Sequence, residues 1–168
     1  DRSRAAFEAM FAERFVATRV LWLEDGVEGD DTDGHVDDLT RFVAPGRVVS
    51  VVEPDAHDAN HAILDRNRAL LARMTDAQGR ALEVVELPMP PAIEGPHGRA
   101  PASYANFYFA NAGVLVPVFD ADTDAEALRL FEGLGLDRPV VPVPARALVL
   151  GLGAVHCLTQ QEPALASY

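Results

Sequence analysis

Residues 39–53 read LTRFVAPGRVVSVVE. Two runs rich in β-branched and aromatic residues flank Pro45-Gly46, a pair suited to a tight turn, so this stretch predicts a hairpin whose second arm is the apolar VVSVV. From about Asp58 to Asp76 the residues Ile63, Leu64, Leu70, Leu71 and Met74 recur among Ala and Arg, which predicts a helix ending near Gly79. ALEVVEL then supplies another strand. Strand, strand, helix, strand is therefore the local order.

The same order returns downstream. NFYFANAGVLVPVF predicts two strands turning at Asn111 to Gly113, DAEALRLFEGLG a helix, and PVVPVPARALVLG the last strands. Two ββαβ units in tandem indicate an α/β protein. Their tight hairpins are unlike the all-parallel sheet of a Rossmann fold, and GLGAVH lacks the third glycine and downstream acid of a dinucleotide fingerprint. Between the units, PMPPAIEGPHGRAP carries five prolines and is expected to be a long loop. Before them, Ala6, Phe7, Met10, Phe11 and Phe15 recur at helical spacing behind a candidate N-cap, Ser3, and TRVLWL reads as a strand leading into an acidic loop.

Composition narrows the function. A length of 168 residues with 49% hydrophobic residues suits one globular domain. Fourteen basic against 26 acidic side chains, a net charge of -12, argue against nucleic acid or an anionic membrane surface as partner and are compatible with a small cation. Pro, Arg or Gly breaks every apolar run short of a membrane span. Cys157 is the only cysteine, so no intrachain disulfide is available and a reducing cytoplasm fits. The chain starts at Asp1 without Met or an apolar leader, so it is expected to be either processed or a piece of something longer.

Two stretches carry candidate chemistry. EGDDTDGHVDD, residues 28–38, is either a solvated acidic loop or a site. As a calcium loop it fails at both ends, because Gly34 in the sixth position puts Gly29 first and Thr40 where a bidentate Glu belongs. His35 and Asp37, two apart, would point to the same side of an extended segment. In the other stretch, LVLGLGAVHCLTQQ, two glycines precede Cys157 and a polar cluster follows it. A lone Cys is commonly buried and inert, and zinc would need ligand spacing that the adjacent His156 and Cys157 do not offer. A Cys nucleophile with a distant His remains open.

DDTDGHVDDLTRFV, PASYANFYFAN and HCLTQQEPA, in this order, resemble the agmatine deiminase family, the bacterial peptidylarginine deiminase-like branch of the guanidine-modifying superfamily. The resemblance covers roughly Val20 to Ala164. It implies a five-bladed α/β propeller, the pentein architecture, of ββαβ modules around a central pocket, with residues 1–168 as its C-terminal half. It implies Cys157 as nucleophile, His35 as acid/base, and Asp37, with Asp31 beside it, as guanidinium-binding carboxylates, a second Asp normally coming from the N-terminal half. The implied reaction hydrolyses a guanidinium, agmatine first and another arginine derivative second, to a ureido product and ammonia, with no metal or organic cofactor. The expected partners are the cationic guanidine and the missing half or a companion chain, with a homo-oligomer open. An amidinotransferase, a noncatalytic guanidine-binding half and a metal-binding acidic module are the competing readings. The sequence departs from the family's glycine run before the His-Cys pair at Leu152 and Ala154.

Overall fold

A computed structural model describes residues 3–30 and 34–162. Helix α1 spans Arg4–Phe15, capped by the Ser3 side chain, which accepts from the Ala6 amide. Strands β1 (Thr40–Ala44) and β2 (Arg47–Val52) pair antiparallel, and α2 (Ala59–Leu71) carries the chain over to β3 (Glu83–Pro88), parallel to β2. After a small hairpin, β4 (Ile93–Gly95) and β5 (Gly98–Ala100), the pattern repeats with β6 (Tyr108–Ala110), β7 (Gly113–Val118), α3 (Asp124–Gly133) and β8 (Val140–Pro144). The two three-stranded sheets have the same order and the same mixture of one antiparallel and one parallel pairing, so the tandem ββαβ reading holds.

Val49, Val51 and Leu87 of the first unit share one buried cluster with Tyr104, Phe107, Val114, Val116 and Phe131 of the second. Parallel strands covered by a crossover helix need apolar residues on both faces, which is why VVSVV and GVLVPV lack a clean polar alternation. No helix among the described residues is long and apolar enough to cross a membrane.

Four expectations need correction. TRVLWL forms no strand. Its polar contacts go sideways: the Trp22 indole donates to Glu8 Oε1 at 2.8 Å, Leu21 and Leu23 lean on Val48, Leu71 and Leu82, and no ladder forms. Helix α2 stops at Leu71, eight residues before Gly79, because Asp76 folds its carboxylate over the amides of Gln78 and Arg80 to build a separate turn. The proline-rich stretch contains the β4–β5 hairpin, since Ile93 and Ala100 pair across it and both bury their side chains in the core. Finally, ARALVLG is not a strand. Its residues Arg146–Val149 form a short helix, α4, just after Pro144 closes β8.

The loop that follows Leu23 is strapped across α2. Buried Asn67 accepts from the Glu24 amide at 2.9 Å, and buried Asn60 accepts from the Glu28 amide at 2.7 Å. At Gly29, where φ is +93°, a Cβ would stand 2.1 Å from the Arg99 carbonyl oxygen, so only glycine fits this crossing. The crossing sets Gly29 against β5, one residue before Asp30, whose carboxylate holds His35.

Candidate functional site

His35 is not in an extended segment. It precedes a single 3-10 turn, Val36–Asp38, closed by the Asp38 amide on the His35 carbonyl at 3.1 Å. The turn still brings His35 and Asp37 to one open depression of about 490 Å³, whose other walls are Gly151, Leu152, His156, Cys157 and Thr159. Cys157 is exposed, so the buried, inert reading of this thiol does not hold. Asp31 lies outside the described residues, as does Asp33.

Asp37 is the carboxylate at the sulfur. Its Oδ2 lies 3.4 Å from Cys157 Sγ and 2.6 Å from His156 Nδ1. Burial alone would push its carboxyl up, but the bonds from His156 and Cys157, with the charge of His156, outweigh it and hold Asp37 below the ordinary carboxylate range. Its neighbour Asp38 goes the other way. Only 1% exposed, it is pushed up to about 7 by burial and by the Asp37 charge, with the Asn106 amide opposing. Two adjacent carboxylates thus divide the roles, one held charged and the other poised to be neutral near neutral pH.

The thiol of Cys157 is itself pushed up by burial of its surroundings and by Asp37, while an amide hydrogen bond from Asn106 pulls it down. His35 places Nδ1 3.1 Å from Asp30 Oδ1, and Asp30 also accepts from the His35 backbone amide. Asp30, His35 and Asp38 bring three donor atoms within 4.8 Å of one another, enough to crowd a cation but also the very groups that orient His35.

Sequence reasoning missed two contributors. His156, weighed in the sequence only as a zinc ligand, meets Asp37 instead, and an imidazole next to a candidate nucleophile is itself a signal. Asn106 falls inside the PASYANFYFAN motif, which by itself assigns it no role. A polar residue between apolar neighbours in ASYANFYF must find buried partners, and that was the available signal. The motif is fastened on several sides: Ser103 Oγ donates to the Asp38 carbonyl at 2.8 Å, Tyr104 donates to Asp124 at 2.6 Å, and the Arg41 guanidinium caps the Phe107 carbonyl at 2.9 Å.

An accessible sulfur set between a carboxylate, an amide and an imidazole, on tandem ββαβ modules, is equipped for nucleophilic chemistry on a cation. The sequence matches the profile of the Porphyromonas-type peptidyl-arginine deiminases over residues 1–163, and the chain belongs to that family. It is 38% identical over 180 aligned residues to the agmatine deiminase of Stutzerimonas stutzeri, covering 96% of this chain and 49% of that protein. The solved agmatine deiminase of Enterococcus faecalis superposes with a TM-score of 0.89 at 33% identity, covering 96% of this chain and 49% of that one. An amidinotransferase from Microseira wollei shares the fold alone, with a TM-score of 0.56 and 15% identity, over 99% of this chain and 41% of that one. The chain spans about half the length of the curated relatives it matches.

Proposed function

We propose that this chain is the C-terminal half of a guanidine deiminase that converts agmatine, or a related arginine derivative, to a ureido product and ammonia. The observation that carries the reading is the meeting of His35, Asp37 and Cys157 in one open depression. A guanidinium is a poor electrophile because its charge is delocalised, so a site must first fix its planar donors. Asp37, held charged, offers paired charge-assisted hydrogen bonds for this.

The Cys157 thiolate then attacks the guanidinium carbon, forming a carbon-sulfur bond. His35 protonates the departing nitrogen, the carbon-nitrogen bond breaks, and ammonia leaves a covalent thiouronium. His35 next removes a proton from water, the resulting hydroxide adds to the same carbon, and the sulfur is expelled with the ureido product. Asp30 orients the His35 ring through Nδ1. Because the resting thiol is pushed up, the positive charge of the arriving guanidinium would favour its ionisation, the proton passing to His35, which then holds it for the departing nitrogen.

The same reading assigns the half-domain. A compact monomer of 18.1 kDa would expose roughly 8,000 Å², whereas this chain exposes 10053 Å². Phe15 and Phe42, 72% and 51% exposed, line an apolar groove of about 570 Å³ between α1 and β1. The remaining modules of a five-bladed propeller would cover such a face and supply a second carboxylate for the guanidinium.

The test is a screen of guanidines for ammonia release by the full-length protein, with product analysis to separate hydrolysis from amidino transfer. Cys157→Ala should abolish release and His35→Ala should lower it by about 10²–10⁴-fold. Alkylation of Cys157 that proceeds equally with and without saturating agmatine would defeat the reading.

A further inference from the structure

We propose that Asn106 is a positioning residue for this reaction, fixing the backbone on which Cys157 rides and steadying its sulfur as an anion. The inference rests on the deiminase reading and adds to it a residue that lies 51 positions from the nucleophile in sequence.

The Asn106 side chain is fully buried and every polar atom of it is used. Its Oδ1 accepts from the amides of His156 at 2.9 Å and Cys157 at 3.3 Å, while its backbone carbonyl accepts from the His156 amide at 3.0 Å. These two backbone donors fix which end of the amide faces the Cys157 loop. The Nδ2 end is then turned toward Asp38 Oδ1 at 2.9 Å, Cys157 Sγ at 3.1 Å and Asp37 Oδ2 at 3.2 Å.

Nδ2 has two hydrogens and three acceptors, so one hydrogen is shared. Asp38 takes the shortest bond, which leaves Asp37 and the sulfur competing for the other. In the resting site the thiol can donate its own proton to Asp37. When a guanidinium arrives, its N–H groups satisfy Asp37, and the shared Asn106 hydrogen turns to the sulfur at the moment the sulfur becomes charged. The residue thus couples occupation of the substrate-binding carboxylate to stabilisation of the nucleophile. The charged and titratable groups around the sulfur are Asp37 and Asp38 from the 3-10 turn, Arg41 from β1, His156 from its own loop and His35 across the depression. Of these, the two carboxylates oppose the anion, and the Asn106 amide opposes them.

The experiment measures the pH dependence of iodoacetamide alkylation at Cys157 in the full-length protein, read by mass spectrometry of the Cys157 peptide and without substrate. Asn106→Ala removes the donor without adding charge. The midpoint of the alkylation curve should move up by about one to two pH units, the loss expected for a hydrogen bond to a charged group. Asn106→Leu keeps the bulk, adds no charge and loses the donor, and provides the same test if the alanine variant does not fold. It should shift the curve as far. A role confined to packing would lower turnover and leave the curve in place, so a midpoint unchanged within about 0.3 units in a folded variant overturns the proposal. A wild-type protein that releases no ammonia from any guanidine would sink the deiminase reading instead, and the alkylation comparison would still decide the role of Asn106.

Discussion

Gly153 lies against Cys157 so closely that a Cβ on it would stand 2.7 Å from the cysteine Cβ and 3.2 Å from Sγ. The second of the two glycines before the His-Cys pair is therefore required by the thiol itself. Gly153→Ala must push Cys157 out of line with Asp37 and Asn106. Because catalysis depends steeply on placement, kcat for guanidine turnover should fall by about 10- to 100-fold. The melting temperature, measured on the same preparation, should change little, since the displaced side chain is exposed.

Asp38 makes stability depend on pH. Its folded-state value of about 7 stands above its ordinary 3.8, so between these two values the folded protein holds a proton that the unfolded chain releases. Stability from this group is fully present below about pH 4 and is lost as pH rises toward about 7. Asp38→Asn keeps an acceptor for the Asn106 amide and removes the titration. Its stability relative to wild type, read from urea midpoints, should rise across this window and flatten above it, by a few kcal/mol at most. A difference that stays constant from pH 4.5 to 8 would show that Asp38 titrates normally.

Asp58 joins two elements. It caps α2 by accepting from the Asn60 amide at 2.8 Å, and both its oxygens lie 2.8 Å from Arg99 Nη1 of β5, in a pair whose side chains are 19% and 12% exposed. Asp58→Ala should cost roughly 2–3 kcal/mol, about 1 from the cap and the rest from the stranded guanidinium. Asp58→Asn, which retains a capping oxygen, should lose less. Urea denaturation with an unchanged m-value checks both.

The apolar face between α1 and β1 gives a prediction about association. Expressed alone, residues 1–168 should bind a hydrophobic dye and self-associate, and Phe42→Ser should reduce both. In the full-length protein the same change should leave dye binding low and lower the melting temperature. Strong dye binding by the intact protein would place this face outside any internal interface.

Local signals carried most of the fold. Short runs of β-branched and aromatic residues around Pro45-Gly46 and Asn111–Gly113, and helical spacing after each, were enough to find both ββαβ units, because each unit is built from near neighbours in sequence. TRVLWL was misread because β-propensity does not say whether a strand has an edge to join; here Trp22 found Glu8 instead. The β4–β5 hairpin was hidden by its prolines, which fall in the turn and outside the paired residues. In the site, His35, Asp37 and Cys157 were nominated from motifs and do meet. Asn106 and His156 stood out locally, one as a polar residue among apolar neighbours and the other as an imidazole beside the thiol, but their partners lie 51 and 119 positions away, and that pairing is not written in any local pattern.

The central claim is that Cys157 bonds covalently to the guanidinium carbon. It is tested most directly by acid-quenching the full-length protein during turnover of agmatine and weighing its Cys157 peptide. An adduct equal to the substrate less ammonia is expected, absent in Cys157→Ala, which should also release no ammonia. Ammonia release that persists in Cys157→Ala, or turnover with the peptide unmodified at every quench time while another residue carries the adduct, would contradict it.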